Sequence, residues 1–373
     1  MMRRGASTQA GAAQYNLIAV TGGSDIGSMR EKRLRLIING KPTWLHIDGV
    51  GVVCASIVYT ILVGSNAVIM RCVLISISPI WGIEFVWCHI ILYNALFAMA
   101  VSSHFVCMTT DPGCVPVNAH PLSEYGELVD DNKSNMSSSG ANSHLRYKRN
   151  CKKCQSYKPR HAHHCSVCGR CVLYFDHFCP WINNAIGIMN QKLFIQFIFS
   201  VMGICGYSMV LILIKFSICE GRETSNIQCK YLTTQNNFLV FFVLFLACIF
   251  GLFTACMACD QLATMQHSDT KVERLKAENN HDLRAPSAHK SRHTNVERIF
   301  GNVYNSGNIL WYINLFIPTP PKYTPETREA ILGYTTESDS NICIDESSPL
   351  INEHNIDNIN NNNNDDAFSN DDK

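Results

Sequence analysis

The chain is poor in charge. Asp, Glu, Lys and Arg make up 16% of its 373 residues, well below the roughly 25% usual in soluble domains. Neither sign dominates, since 31 basic residues stand against 30 acidic ones and the net charge is +1. That balance argues against a globally basic nucleic-acid binder. The shortage is also uneven. Four windows hold no Asp, Glu, Lys or Arg at all: residues 49–70, 85–108, 193–214 and 238–259. A channel or transporter with an ionisable relay is therefore a weak reading. The two histidines of the second window, His89 and His104, read as interfacial or packed side chains. The first window opens well inside the chain, which disfavours a secretory signal peptide.

Each window is long enough to cross a bilayer, which takes about 20 apolar residues. A charge follows each one: Arg71, Asp111, Lys215 and Asp260. The first window is the weakest because it carries Gly49, Gly51 and Gly64. The mean hydropathy of +0.01 is thus an average of four apolar spans and a polar remainder. Lys and Arg number seven before the first window, one between the first two, ten in the 109–192 loop, three in 215–237 and ten after 259. This alternation places both termini and the long middle loop in the cytosol.

The expected organisation follows. A cytosolic segment (1–48) leads into spans at 49–70 and 85–108. A cytosolic linker (109–150) and a cysteine-rich domain (151–192) precede spans at 193–214 and 238–259. A cytosolic region (260–350) and an Asn-rich tail (351–373) complete the chain. Ser and Asn dominate 132–143, as in a flexible linker. The tail carries nine Asn and no packing pattern, and reads as disordered. The sequon Asn135-Met136-Ser137 falls on the cytosolic side and is discounted. Cys114, Cys256 and Cys259 lie near the cytosolic membrane face, where cysteines can be acylated; for Cys256 a small apolar filler is the preferred reading.

Six of the 18 cysteines fall between 151 and 179. The stretch runs Cys151-x2-Cys154, His164-Cys165-x2-Cys168-x2-Cys171 and Asp176-His177-Phe178-Cys179-Pro180-Trp181. Disulfides do not persist in a reducing cytosol. Repeated Cys-x2-Cys pairs beside a His suit a tetrahedral zinc ion, because the two-residue gap turns both thiolates toward one point. A nucleic-acid finger would use the same ligands, but a position between two membrane spans argues against it. Cys179 stands outside that register. A neighbouring His can take its proton and an Asp can orient that His, which is the setting of a nucleophile. Spacing alone leaves a further metal ligand as the other reading of Cys179.

The stretch resembles the DHHC-type protein S-acyltransferases, the palmitoyltransferases that thioesterify cysteines. The resemblance runs from the second span to Pro318. It includes Asp111-Pro112-Gly113 after the second span, and Asn295…Phe300-Gly301 followed by Trp311 and Pro318. It implies an α-helical polytopic membrane protein with four transmembrane helices and a cytosolic zinc-binding domain between helices two and three. It further implies that Cys179 accepts the acyl group, that His177 activates it and that Asp176 polarises His177. One structural zinc would be held by Cys151, Cys154, His164 and Cys171. The family's second zinc uses positions occupied here by Cys165, Cys168, Phe178 and Ala185.

Several positions depart from the family's pattern. The signature reads Asp-His-Phe-Cys, and Ala185 stands where a later Cys is usual. Two ligands of one site are missing together, so one zinc is expected rather than two. Phe178 would then pack where a metal cross-link used to be, and Cys165 and Cys168 would recruit His161 or His163 or remain plain thiols. The Thr-Thr-x-Glu motif appears as Thr270-Lys271-Val272-Glu273. The Lys-Pro-x-Arg motif appears as Lys158-Pro159-Arg160-His161, with Lys158 and Arg160 the candidate contacts to acyl-CoA phosphates.

The expected reaction takes a long-chain acyl group from acyl-CoA onto Cys179 and passes it to cysteines of membrane-associated proteins. The spans would enclose the acyl chain, and Trp181 would anchor at the bilayer interface or pack beside Pro180. The other reading is a membrane-anchored zinc scaffold or regulatory subunit that has lost turnover. Retention of Asp176, His177, Cys179, Pro180 and Trp181 as a block favours the enzyme. Golgi, endoplasmic reticulum and plasma membrane are all open, as are oligomeric state, substrate proteins and acyl-chain preference.

Overall fold

A computed structural model describes residues 16–19, 34–38, 41–42, 44, 48–116, 119–121, 149–220, 234–266, 274, 292–302 and 309–335. The 132–143 linker, Thr270, Lys271, Glu273 and the 351–373 tail lie outside the described residues. Near the N-terminus three short strands, β1 (Asn16–Ala19), β2 (Leu34–Ile38) and β3 (Lys41–Pro42), form an antiparallel meander.

Among the described residues four helices are long and apolar enough to cross a membrane: Gly49–Ser78, Ile83–Thr109, Gln191–Ser217 and Asn237–Gln266. Each outruns its uncharged window, because a charge does not end a helix; backbone geometry does. The first helix, α1 (Gly49–Val68), begins where the Asp48 carboxylate accepts a hydrogen bond from the Gly51 N–H at 2.9 Å, a side-chain N-cap. It does not stop at Arg71. It passes through one π-helical turn (Ile69–Leu74) and continues as α2 (Ile75–Trp81). The break comes at Gly82, whose φ of +83° is readily adopted only by glycine. Beyond it, α3 (Ile83–Thr109) returns across the bilayer. Lys215, buried on the third spanning helix, donates to the Cys72 carbonyl in the π-helical turn.

The spanning helices are apolar all round, as membrane helices are. Phe238, Phe241, Phe245 and Leu252 point outward, where lipid belongs, while Val240, Val243 and Ala247 of the same helix are buried. The inner faces meet in one core that includes Tyr93 and Ala100 of α3 and Phe194, Val201 and Ile204 of α4 (Gln191–Glu220). The last spanning helix, α5 (Thr234–Gln266), closes the bundle.

Between α3 and α4 the chain builds a small β unit. Asp111 takes hydrogen bonds from the Gly113 and Cys114 N–H groups at 2.9 and 2.8 Å, a turn held by an Asp side chain. Gly113, at φ +99°, redirects the chain. The carbonyls of Pro112 and Gly113 then accept from Met189 and Leu173. The Asp-Pro-Gly tripeptide is thus the joint that fastens the end of α3 to the cysteine-rich unit. A short strand β4 (His120–Pro121) follows.

Three antiparallel hairpins come next: β5 (Asn150–Cys151) with β6 (Ser156–Tyr157), β7 (Ala162–Cys165) with β8 (Arg170–Leu173), and β9 (His177–Cys179) with β10 (Asn184–Ile186). Cys151-x2-Cys154 and Cys165-x2-Cys168 form the turns of the first two hairpins, each followed by a residue in the left-handed region, Gln155 (φ +52°) and Gly169 (φ +65°).

After the last span, α6 (Arg292–Phe300), α7 (Ile309–Phe316) and α8 (Pro325–Leu332) fold back. The α7 helix docks on the start of α4. There the buried Lys192 donates to Asn314 Oδ1 at 3.0 Å, and Gln196 donates to the Ile317 carbonyl at 3.1 Å. The closing strand β11 (Tyr334–Thr335) pairs with β4.

Candidate active site

Strand alternation sorts the third hairpin into two faces. His177 and Cys179 share one face of β9, opposite Ile186 and Asn184 of β10. Cys179 and Ile186 belong to the core of the membrane bundle. Phe178 and Ala185 pair on the other face and pack with Cys165, Cys168 and Val172. The hairpin is a partition, with Cys179 turned toward the bundle and Phe178 and Ala185 toward the cysteine-rich unit.

Its tip is fixed from both sides. The Asn184 amide donates to the carbonyls of Cys107 and Thr110 at 3.1 and 2.8 Å, satisfying the end of α3, and accepts from the Trp44 indole at 3.0 Å. Asn183 stands so close to α1 that a Cβ at Gly51 would come within 2.0 Å of its side-chain oxygen. That contact requires one of the three glycines that make the first window look weak.

On the working face the Asp176 carboxylate lies 3.1 Å from His177 Nδ1. His177 is in turn hydrogen-bonded to Cys179. Burial opposes a charge on this imidazole, yet the bonds to Asp176 and Cys179 outweigh it and lift its pKa to about 9. Near neutral pH the ring therefore carries a proton, and an imidazolium beside a thiol favours the thiolate. Asp176 and Cys179 are buried, and the edge of the His177 ring packs on Phe194 at 5.3 Å. The three side chains singled out by the signature are brought together.

Sequence reasoning did not find Gln261 of α5, which donates to Asp176 at 2.7 Å, or Gln191, which donates to Gln261 at 3.1 Å. Their signal was weak: two amide side chains just outside apolar windows. His104 is buried and packed. Its ring bonds to the Trp181 carbonyl and the Tyr59 hydroxyl, both at 2.9 Å. Trp181 sets its ring edge-on to Phe250 and lines an apolar cavity among the spanning helices, so it faces the bundle interior. That cavity is also lined by Leu62, Phe97, Phe197, Val201 and Ala247, and by Tyr93 and Ser208, whose hydroxyls are 2.9 Å apart.

The metal site lies in the first two hairpins. Cys151, Cys154, His164 and Cys171 bring their ligand atoms within 4.8 Å of one another. His164 and Cys171 face each other across β7 and β8. The Cys154–Cys171 sulfurs are 3.8 Å apart, and His164 Nδ1 is 3.7 and 3.2 Å from the Cys151 and Cys154 sulfurs. A tetrahedral zinc has edges of about 3.8 Å between sulfurs and about 3.5 Å between sulfur and nitrogen. The donor set therefore fits zinc. The hydrogen bond from Cys171 holds the Cys154 thiol down at about 5 against the cost of burial, with His164 and Cys151 adding to the effect.

Among the described residues this is the one such group. Cys165 and Cys168 are buried thiols hydrogen-bonded to each other, and that bond together with burial pushes Cys168 well up. Neither His161 nor His163 joins them in a metal group; His161 instead stacks on Tyr174 at 4.8 Å. Lys158, half-buried, and Arg160, exposed, sit on the loop between the first two hairpins. Asn295 is buried on α6, which packs against α4 and α5, and Trp311 is half-buried on α7.

Comparison with known proteins gives concordant results. Residues 144–278 match the profile of the DHHC palmitoyltransferases. The chain is 32% identical over 237 residues to mouse palmitoyltransferase ZDHHC7, covering 63% of this chain and 71% of that protein. It is 29% identical over 267 residues to human palmitoyltransferase ZDHHC3, covering 71% and 81%. It is 40% identical over 117 residues to the probable protein S-acyltransferase 14 of Arabidopsis thaliana, covering 30% and 37%.

Proposed function

The chain belongs to the DHHC palmitoyltransferase family and is a membrane-bound protein S-acyltransferase, and on that premise we propose that Cys179 carries the acyl group between two thioester exchanges. The Cys179 thiolate attacks the carbonyl of a long-chain acyl-CoA, forming the acyl-cysteine and releasing CoA as its thiolate. A thiolate of a membrane-associated protein then attacks that thioester and restores Cys179. One thioester replaces another at each step, so little driving force is needed and the work lies in positioning and thiolate supply. His177 supports both steps as the cation beside the thiolate. Asp176 orients the ring and stabilises its charge.

The observation that carries this reading is the single face shared by His177 and Cys179, turned into the membrane bundle. The adjoining apolar cavity behind Trp181 receives the acyl chain, because a hydrocarbon tail belongs among apolar side chains. Lys158 and Arg160 supply cationic contacts for the CoA phosphates. Cys151, Cys154, His164 and Cys171 would hold a structural zinc that ties the first two hairpins together; the apolar pair Phe178–Ala185 supports the third. Both termini and the β unit face the cytosol by the excess of Lys and Arg there. Substrates are then proteins that present cytosolic cysteines at the bilayer surface, in the Golgi, endoplasmic reticulum or plasma membrane.

A chase experiment tests the second step. Purified protein is loaded with labelled palmitoyl-CoA, freed of excess donor and mixed with a membrane-tethered cysteine peptide. Label should leave the protein and appear on the peptide as a hydroxylamine-sensitive thioester. Label that stays on the protein, or goes only to water, would leave the scaffold reading standing.

A further inference from the structure

Asp176 is gripped from the membrane side. Gln261, on α5, donates its amide N–H to Asp176 Oδ2 at 2.7 Å, the same oxygen that lies 3.1 Å from His177. Gln191, the first residue of α4, donates to Gln261 Oε1 at 3.1 Å. Gln261 has no exposed surface and Gln191 is 3% exposed. Two spanning helices, 70 residues apart in sequence at this contact, thus meet through two amides that end on the catalytic carboxylate. A buried amide without partners is costly, so both need a reason to be there.

We propose that Gln261 and Gln191 are positioning residues: a polarised amide relay from α4 and α5 fixes Asp176 toward His177 and keeps the Cys179 face aligned with the cavity. The proposal rests on the acyltransferase reading given above and extends it to two residues that touch no substrate. The direction of the relay is dictated by charge. An ionised Asp is acceptor-only, whereas an amide has one donating and one accepting end. Gln261 must therefore turn its N–H toward Asp176, which leaves its oxygen facing Gln191, and Gln191 must answer with an N–H. Reversing the far end reverses the whole chain.

That logic separates two substitutions of almost equal size. Gln191→Met removes the outer donor and leaves Gln261 free to keep its bond to Asp176. Gln191→Glu puts an acceptor where a donor is required. Gln261 is then drawn to turn its N–H toward the introduced carboxylate and its oxygen toward Asp176, setting two acceptors against each other. A merely structural role predicts no such order, since Glu is closer to Gln in shape than Met is.

The test is single-turnover acylation of the full-length protein in detergent with labelled palmitoyl-CoA, measured for wild type, Gln261→Leu, Gln191→Met and Gln191→Glu, with zinc content as the check on folding. Gln261→Leu and Gln191→Glu should each slow acylation about tenfold or more, the scale of losing a supporting hydrogen bond. Gln191→Met should lose clearly less, and the KM for acyl-CoA should stay within about twofold throughout, because the relay does not touch the donor. Equal rates for Gln191→Glu and Gln191→Met, or losses that appear only in KM, would overturn the relay and leave the acyltransferase reading intact. Failure of Gln261→Leu to fold leaves the Gln191 pair to decide. A wild-type protein that takes no label overturns both.

Discussion

Phe178 and Ala185 face each other across the third hairpin, on the side turned away from Cys179. They are the two positions where the family resemblance implies metal ligands that this sequence does not carry. Their pairing explains why the losses come together: a lone His or Cys there would be a polar group set against an apolar partner. The hairpin is held by this packing, and the face that carries His177 and Cys179 takes no part in it.

Restoring both ligands should restore the site. The double substitution Phe178→His with Ala185→Cys places four donors together with Cys165 and Cys168, so zinc should rise from about one to about two per chain by elemental analysis. Either single substitution should leave it near one. Phe178→Ala should destabilise the fold by about 1–3 kcal/mol, less than the loss for a fully buried Phe because Phe178 is only half-buried.

Removal of the remaining metal should be more damaging. Cys151→Ser or His164→Ala breaks a donor set already drawn to within 4.8 Å, and the freed thiolates then repel one another. Zinc content should fall to near zero and acylation at Cys179 with it, since a structural zinc contributes folding energy outright. A metal-free variant with normal acylation would show that the first two hairpins stand without it.

The charge on His177 sets a pH dependence. Its pKa is raised on folding from the ordinary 6.5 to about 9. A group raised in this way contributes stability that is complete below its unfolded value and is lost as pH climbs through the folded one. The gap in melting temperature between wild type and His177→Asn should therefore be widest below about pH 6.5 and shrink toward pH 9. A gap that stays constant over that range would contradict the charged pair. At pH 7 the same substitution should slow acylation by about 10²–10⁴-fold.

The cavity makes a prediction about chain length. Tyr93 and Ser208 meet in its wall, and Tyr93 lies 11 residues before His104, or roughly 16 Å along α3 from the contact with Trp181. Ala247→Phe should fill the space and shift preference toward shorter acyl-CoAs, while Tyr93→Ala should admit longer ones. Competition between C14, C16 and C18 donors measures both; an unchanged ratio in each variant would place the chain elsewhere.

Much of this was legible in the chain. Uncharged windows located the spans because hydrocarbon tolerates little else, and the Cys-x2-Cys spacing marked the stretch that could hold a metal, while the ligand set came from the family resemblance. Helix ends were less visible. Arg71 ends a window but not a helix, and Gly82, a backbone feature, sets the break. Gln191 and Gln261 could not be joined from sequence, because their bond crosses 70 residues and depends on how two helices pack. Trp181 read as an interfacial anchor or as packing beside Pro180; its ring turns inward, since the hairpin bearing it is tied to α3 through Asn184 and His104.

The central claim is that Cys179 is the acyl carrier on a hairpin that needs no second metal. The direct measurement is incubation of purified protein with labelled palmitoyl-CoA, followed by peptide mapping and zinc analysis of the same sample. The expected result is hydroxylamine-sensitive label on Cys179, lost in Cys179→Ser, in protein holding about one zinc per chain. Label that persists at full strength in Cys179→Ser, or a wild-type protein that never labels, would contradict it.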